Sequence, residues 1–164
     1  MPWCVSYTCT HVKGHMGTST RFVLAIHVLA LLAISKGKPV RSEALAFSVQ
    51  TNASFIRSLL SRLQEAGLTT SQLGTGGGAL LAKASSKIRL LDVYLATEDR
   101  EVFAFHHQGP NQACIVGRNI QEAIRPSLDL ATQALERKLA AVTIADIALE
   151  LARLGKFTIP WDGC

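Results

Sequence analysis

The stretch Ser42–Lys83 constrains the fold of this 164-residue chain more than any other segment. Residues 42–49 hold a short apolar pattern, and Gln50–Asn52 are turn-forming residues. From Ala53 to Ala66, apolar residues then recur at positions i, i+3, i+4 and i+7. This order predicts two short helices joined by a tight turn.

The ends of both predicted helices carry suitable capping residues. Ser42 opens the first helix, and Asn52 or Thr51 opens the second, with side-chain oxygens that can accept an N–H of the first turn. Gly67 follows the second helix, where a left-handed backbone is common and costs glycine least. The apolar side of the second helix is expected to face the core and consists of Ile56, Leu59, Leu60 and Leu63.

The opposite side of the second helix is rich in hydrogen-bond donors and poor in acid. At 100° per residue, that side carries Ser54, Arg57, Ser58 and Ser61, and the first acidic residue is Glu65 near the end. Serine is a middling helix former. Small hydroxyl donors beside an arginine are therefore better explained by close approach to phosphates and base edges. The alternative is an ordinary solvated face, which more commonly carries Glu and Lys pairs.

A β-hairpin is predicted after the helix pair. Residues 68–73 and 79–82 have strand character, and the segment Gly74–Gly78 between them consists of glycines apart from Thr75. The tip also matches the dinucleotide pattern G-x-G-x-x-A. That match is weak, because a helix rather than a strand precedes it and a second strand follows. No G-x-x-x-x-G-K-[ST] phosphate loop occurs in the sequence.

Charge is distributed unevenly along the chain. Residues 1–91 contain ten Lys and Arg against two acids, a net charge of +8. Residues 92–164 contain seven bases and ten acids, a net charge of −3. A basic half followed by an acidic half is typical of a chain in which one part meets nucleic acid. A basic surface without a partner is the alternative, and the donor-rich helix with its hairpin favours nucleic acid.

The most apolar run is Phe22–Ile34, thirteen residues interrupted by His27. It is shorter than the roughly 20 residues that a membrane span requires. We therefore predict that Ser19–Ser35 is a buried helix with His27 packed in the core. Residues 1–16 lack the basic start and apolar centre of a secretory signal. The expected location is cytoplasmic, without a membrane partner.

The four cysteines predict neither a disulfide framework nor a zinc site. Cys4 and Cys9 lie near the N-terminus, and Cys164 ends the chain. One residue separates Cys9 from His11, whereas a zinc finger needs about a dozen residues between its Cys and His pairs. The first fifteen residues have no clear period, and Met16 is an alternative natural start.

The second half of the chain is predicted to be helical. A short helix, Leu90–Thr97, precedes a polar connection and a long helix, Arg118–Val142. Pro126 is expected to kink the long helix or divide it into two. Thr143–Asp146 resembles a capping box and starts a last helix that ends at Leu154. The long helix also carries a narrow apolar stripe typical of a seam for a partner helix, formed by Ile120, Ile124, Leu128, Ala131, Leu135 and Leu139.

An ordered series of motifs covers nearly the whole chain after its first residues. The motifs are Ser19–Phe22, Thr51–Asn52, Arg57–Leu60, Glu65–Leu68, Gly76–Leu81, Ile88–Tyr94 and Cys114–Ile120. In this order they resemble the Rrf-two family of bacterial winged-helix transcription regulators. Members of that family include the iron–sulfur cluster regulator, the nitric-oxide-sensing repressor and the cysteine-metabolism repressor.

The resemblance implies a mainly α fold with a small β wing. A winged helix–turn–helix is followed by a long C-terminal dimerisation helix that crosses to the partner of a homodimer. The implied segments are an N-terminal tail (1–17), a DNA-binding domain (18–97), a connecting or sensor segment (98–117), dimerisation helices (118–154) and a C-terminal tail (155–164).

The resemblance also implies where DNA lies. The Asn52–Ala66 helix would enter the major groove, and the Gly74–Gly78 wing would lie near the minor groove. Arg57 and Ser54 are expected to contact bases, and Arg21 and Arg62 to contact phosphates. The full predicted DNA-binding set is Arg21, Thr51, Asn52, Ser54, Phe55, Arg57, Ser58, Ser61, Arg62, Gly76 and Gly77.

Two features depart from the family pattern. Cluster-binding members carry three cysteines before the long helix, whereas residues 98–117 contain only Cys114, with His106 and His107 nearby. An iron–sulfur cluster needs several thiolate or imidazole ligands. The chain therefore resembles the cluster-free branch, and no metal or cofactor is expected. Some members also place an arginine just before the wing glycines, where this chain has Leu73.

The sequence thus predicts a dimeric repressor that binds an inverted-repeat operator in double-stranded DNA, with an unknown effector. One alternative is a redox- or metal-responsive regulator that senses through Cys114, because a helix N-terminus can lower the pKa of a thiol. Cys114 as a small packed residue is the competing interpretation. A protein-interaction module without DNA binding is the alternative from another class. An enzyme is not expected, because no motif supplies an orienting group or an oxyanion hole beside Cys114 and His106 or His107.

Overall fold

The computed structural model describes residues 20–98, 102–103, 105 and 108–158. Cys4, Cys9, His106, His107 and Cys164, which the sequence analysis weighed as ligands or thiols, lie outside the described residues. A mainly α fold with a small β wing is confirmed. The helices are α1 (Arg21–Ile34), α2 (Ser42–Val49), α3 (Ala53–Glu65), α4 (Leu90–Thr97), α5 (Ile115–Ala140) and α6 (Ile144–Gly155), with strands β1 (Thr69–Gln72) and β2 (Gly78–Leu81) and a 3-10 turn at Ser85–Lys87.

Helix α1 lies at the centre of the core because it is apolar on most of its sides. It packs against α2, α3, α4, α6 and β2. The ring of Phe22 meets Tyr94 of α4 edge to face, with 5.6 Å between the ring centroids. The largest fully buried side chains come from several elements and include Leu29, Leu45, Ile56, Leu63, Leu68, Ile88 and Ile144.

One side of α1 remains open to solvent. His27 lies there, exposed, with its Nε2 3.0 Å from the Ser48 hydroxyl oxygen. The prediction of a core histidine was wrong, because the helix is not surrounded completely even though its residues are apolar nearly all round. None of the helices in the described part of the chain has the length and apolarity needed to cross a bilayer.

Helices α2 and α3 form the predicted helix–turn–helix. Gln50 ends α2 in a left-handed conformation, with φ 53°, and the N–H of Thr51 donates to the Ala46 carbonyl oxygen at 3.0 Å. Asn52 caps α3, since its Oδ1 accepts the N–H of Phe55 at 2.7 Å. The capping prediction is therefore confirmed for Asn52 rather than Thr51.

The predicted cap of α2 was wrong by one residue. Arg41 occupies the N-cap position without a side-chain hydrogen bond, and Ser42 is the first residue of the helix. The hydroxyl of Ser42 donates instead to Glu43 Oε1 at 3.2 Å. The backbone is extended at Arg41 and helical from Ser42 onward, so Ser42 lies inside the first turn and not at the position of a cap.

The hairpin pairs on both sides of β2. Strands β1 and β2 are antiparallel, with Gln72 opposite Gly78. On the other side, Val40 and Ala79 exchange two backbone hydrogen bonds of 3.0 and 2.8 Å. A β-carbon at Gly78 would come within 2.6 Å of the Val40 backbone. Glycine is required there, and the wing is joined to the segment that leads into α2.

Helix α5 is a single 26-residue helix with Pro126 inside it. Of the two effects predicted for Pro126, a division of the helix was wrong, because proline removes one hydrogen bond and the many others of a long helix keep it continuous, and a kink stays a prediction. The helix also begins at Ile115 rather than Arg118. The capping box of Thr143 and Asp146 is confirmed at the start of α6.

Candidate nucleic-acid interface

The two sides of helix α3 differ in polarity and in burial. Ile56, Leu59 and Leu63 are buried, which fixes how the helix is rotated against the core. The predicted outer residues are all exposed as a consequence, and they are Ser54, Arg57, Ser58 and Ser61. A rigid helix therefore displays hydroxyl and guanidinium donors to the outside, the groups that contact phosphates and base edges in DNA.

Arg57 is paired with an acid from the first helix of the pair. Its Nη2 donates to Glu43 Oε1 at 2.5 Å, and both side chains remain more than half exposed, at 58% and 62%. The Glu43 backbone N–H, followed by the Arg57 guanidinium and the Ser42 hydroxyl, lowers the pKa of the Glu43 carboxyl below its ordinary value. A pair this exposed is screened by water. A phosphate or a base can therefore replace Glu43 as the partner of Arg57.

Glu43 is a residue that the sequence analysis did not include in the interface. A signal was present, since Glu43 is the only acidic residue among the first 64. Its position in the first turn of α2, opposite the α3 arginine, depends on the tertiary packing of the two helices.

Thr51, Asn52 and Phe55, which the sequence predicts to contact DNA, also have structural roles in the fold. The Oδ1 of Asn52 is occupied by the cap of α3, while the side chain itself is exposed. Thr51 is half-buried, and Phe55 is a half-buried ring that packs against the core. These three residues position α3, and their contact with DNA stays a prediction.

The two predicted phosphate-binding arginines lie at the ends of helices. Arg21 is the first residue of α1, and Arg62 is in the last turn of α3. Both are half-buried and both interact with other groups of the chain. Partial burial restricts the side chain, so each guanidinium can be held in place before any phosphate arrives.

A groove of about 510 Å³ separates α3 from the wing. Arg57 and Ser61 line it from α3, and Ser71 lines it from β1. The Ser71 hydroxyl donates to Gln64 Oε1 at 2.9 Å and so connects the two walls. Ser71 and Gln64 are further exposed polar residues of this surface that the sequence analysis did not identify.

The tip of the wing requires glycine. Gly76 has φ +84°, and a β-carbon on Gly77 would overlap the carbonyl oxygen of Gln72. The N–H of Gly77 donates to the Gly74 carbonyl oxygen at 3.0 Å and closes the turn. Leu73, at the position where some family members have arginine, is 92% exposed. The wing therefore offers backbone and an aliphatic side chain rather than a cation.

We expect Gly77→Ala to distort the wing. The atoms that a methyl group would meet are backbone atoms, which cannot turn away as a side chain can. The free energy of unfolding should fall by about 1–3 kcal/mol, and duplex affinity should fall with it. Urea denaturation and a DNA titration measure both, with Thr75→Ala at the same tip as the control. Equal behaviour of the two variants would contradict the tight turn.

The second candidate surface is α5. None of its 26 residues is buried, although the helix carries the predicted apolar stripe. Ile124 is 36% exposed, and Ala131 is also exposed. The other four stripe residues are half-buried, and they are Ile120, Leu128, Leu135 and Leu139. Apolar side chains left partly uncovered along a long helix are available to a second chain.

Cys114 is the N-cap of α5, and Ile115, Val116 and Gly117 are the first three residues of the helix. It is exposed, so the interpretation as a packed residue was wrong. Hydrogen bonds from the backbone N–H groups, first of Gly117 and then of Val116, lower the pKa of its thiol below the ordinary value. Helix N-termini stabilise a thiolate in this way.

A family model described as an iron-dependent transcriptional regulator, Rrf2, matches residues 18–150. The chain belongs to the Rrf2 family. The resemblance drawn from the sequence motifs to the Rrf-two family is thereby confirmed. Transcriptional regulation through a helix–turn–helix is the function that the family shares.

Similar proteins agree with this assignment. A Bacillus subtilis (strain 168) protein with the provisional name HTH-type transcriptional regulator YwnA is 36% identical over 129 residues, covering 79% of this chain and 95% of YwnA. A crystal structure described provisionally as a DNA binding protein has 32% identity and a TM-score of 0.62, covering 77% of this chain and 97% of that one. The B. subtilis global cysteine regulator CymR shares the fold, with a TM-score of 0.61 and 22% identity over 81% of this chain and 96% of CymR.

Iron, which the family description names, needs several thiolate, imidazole or carboxylate ligands. Over the described ranges, no group of three or more His, Cys, Asp or Glu side chains is placed to hold a metal ion. Cys114 is a free, exposed thiol. The described residues do not fit an iron site.

Proposed function

We propose that this Rrf2-family chain is a dimeric transcriptional repressor that binds an inverted-repeat operator in double-stranded DNA. The observation that carries the proposal is α3, whose buried side fixes an exposed face of Ser54, Arg57, Ser58 and Ser61. The positive first half of the chain supports the same partner. Acting on DNA would place the protein in the cytoplasm of a bacterium.

The proposed base and phosphate contacts follow from where each side chain lies and how exposed it is. Arg57 and Ser54 stand on the outer face of α3 and would contact base edges. Arg21 and Arg62, held at helix ends, would contact phosphates together with Gly76 and Gly77 of the wing. Leu73 at the wing would pack against sugars, because it has no donor for base recognition.

A homodimer is proposed from α5. Its stripe from Ile120 to Leu139 is incompletely covered within one chain, and a second copy of the same stripe would cover it in a two-fold arrangement. Two α3 helices related by that axis would meet successive major grooves. An operator would then contain two inverted half-sites with centres about 34 Å apart, or a multiple of that distance.

The test of this proposal is selection of bound sequences from random DNA, followed by footprinting and titration over a range of salt. We expect symmetric protection and a log association constant that falls linearly with log salt, by about 0.9 for each phosphate contacted. An asymmetric single half-site would contradict the dimer. A folded protein without affinity for any duplex at low salt would instead support a protein-interaction module.

A second function, redox-responsive regulation through Cys114, is favoured by the helix N-terminus that lowers the pKa of this thiol. Cys114 precedes the helix that carries the proposed dimer seam. Oxidation to a sulfenic acid would therefore change a group at the start of that helix. DNA affinity is the expected output.

We expect Cys114 to react with iodoacetamide at pH 7 faster in the folded protein than in the urea-unfolded chain. A lowered pKa means more thiolate in the folded state at neutral pH, and this advantage disappears as the pH rises above the ordinary pKa of the thiol, where both states are thiolate. The protein should carry Ser at Cys4, Cys9 and Cys164, so that one thiol remains. Equal rates in the two states would contradict an activated thiol.

The matched control for sensing is Cys114→Ser in the same background. We expect dilute peroxide to change the duplex affinity of the Cys114 protein and to leave that of the serine variant unchanged. Identical responses would show that the signal enters elsewhere.

A further inference from the structure

The carboxylate of Glu43 lies on the proposed DNA-binding face, in direct contact with a base-reading candidate. Its Oε1 atom accepts hydrogen bonds from Arg57 Nη2 at 2.5 Å and from the Ser42 hydroxyl at 3.2 Å. Its own backbone N–H, and then Arg57, lower the pKa of this carboxyl, so it is ionised at neutral pH. Phosphates repel a negative charge, and a carboxylate at this place therefore opposes binding to the DNA backbone. A donor on a base edge is the DNA group that would stabilise it.

Arg57 and Glu43 together present donors and an acceptor side by side. Glu43 uses one N–H of the guanidinium, and several other N–H groups of Arg57 remain as donors. Two of these donors can bind two neighbouring acceptors on one base edge. The carboxylate lies directly against the guanidinium, and both side chains are more than half exposed. The pair therefore offers the row donor, donor, acceptor.

A G·C pair is the base pair whose major-groove edge complements this row. Guanine N7 and O6 are acceptors, and the 4-amino group of cytosine beside them is a donor. Guanine O6 and this amino nitrogen are hydrogen-bonded to each other at about 2.9 Å. Arg57 Nη2 and Glu43 Oε1 are 2.5 Å apart, so the two protein groups have a spacing similar to that of the two base groups.

We infer that Arg57 and Glu43 together read one G·C base pair, an inference that rests on the DNA-binding function proposed above. Arg57 donates to guanine N7 and O6, and Glu43 accepts from the 4-amino group of cytosine. An A·T pair at the same place would set the guanidinium against the adenine amino group and the carboxylate against thymine O4. Both contacts are repulsive, so Glu43 rejects the wrong pair as well as binding the right one.

The experiment uses the full chain and an operator selected from random DNA. Arg57→Ala first identifies the pair, because base preference disappears at the position that Arg57 contacts, and we expect G·C there. Cytosine in that pair is then replaced by 2-pyrimidinone, which lacks the 4-amino group. The affinity of the wild type should fall by about tenfold or more, since the lost hydrogen bond is to a charged group. Glu43→Ala should show no loss from the same replacement.

Two controls separate this contact from other effects. Inosine in place of guanine also removes one hydrogen bond of the pair, but it leaves the major-groove edge unchanged, so wild-type affinity should stay the same. Glu65→Ala removes another exposed acid, at the end of α3, and should keep the full dependence on the 4-amino group. Glu43 is itself exposed, so its replacement should retain the fold, which circular dichroism measures.

Two outcomes would overturn the inference while leaving the proposed function intact. In the first, Arg57→Ala changes base preference at no position of the operator, or at one that is not G·C. In the second, loss of the 4-amino group weakens the wild type and Glu43→Ala by the same factor. A chain that binds all duplexes alike, or none, would overturn the proposed function and this inference together.

Discussion

Leu135→Glu should convert the protein to a monomer and lower its operator affinity by a hundredfold or more, on the order expected when two linked contacts become one. Leu135 is a half-buried member of the apolar stripe on α5, a helix with no buried residue in the single chain. A carboxylate placed in a two-fold seam would face its own copy in a water-poor contact. Desolvation and like-charge repulsion both oppose that arrangement.

Sedimentation velocity measures the oligomeric state, and a titration with full and half operators measures the affinity. Leu130→Glu is the matched control, because Leu130 is on the same helix, is 62% exposed and lies outside the stripe. We expect the control to stay dimeric. A monomeric wild type, or two variants that dissociate equally, would contradict the proposed seam. Circular dichroism must show that both variants retain the helical fold.

Arg57→Ala should weaken binding to the selected operator by about 1–3 kcal/mol and change affinity for random duplex much less. The reason is the position of Arg57 on the exposed face of α3, where a guanidinium can donate two hydrogen bonds to one base edge. Arg21→Ala is the contrasting variant, since a phosphate contact is independent of sequence and its loss should weaken all duplexes alike.

The ion pair with Glu43 adds a second expectation to the Arg57 prediction. Glu43→Gln removes the carboxylate that holds Arg57 in the absence of DNA and that repels phosphates. Affinity for random duplex should therefore rise, and discrimination between operator and random DNA should fall. Competition titrations with labelled operator measure this ratio. If Arg57→Ala lowered operator and random binding by the same factor, the proposed base contact would be wrong.

Local signals in the sequence predicted much of the fold. The bounds Leu90–Thr97 of α4 agree with the prediction, and α3 ends one residue before the predicted end. The caps at Asn52 and Thr143 were also predicted, because a cap is a hydrogen bond between residues two or three apart. Such features depend on few neighbours, so a single sequence contains them.

Errors arose where the sequence does not fix the boundary of a helix or the side of it that stays open. Ser42 was predicted to be a cap, but the backbone is already helical at Ser42 and extended at Arg41, so Arg41 is the N-cap. His27 belongs to an apolar helix, yet only the arrangement of the surrounding helices decides which of its sides stays open. Pro126 weakens any helix locally, but a 26-residue helix tolerates it.

The sequence by itself determined the helix–turn–helix, the glycine wing, the apolar stripe of the long helix and the family. Periodicity and short-range hydrogen bonds depend only on residues that are close together in the sequence. Tertiary structure alone decided that Glu43 meets Arg57 and that the Oε1 atom of Glu98 is buried. These contacts join residues far apart in the chain or depend on burial by other elements. Their geometry follows from how the helices pack, which no local pattern specifies.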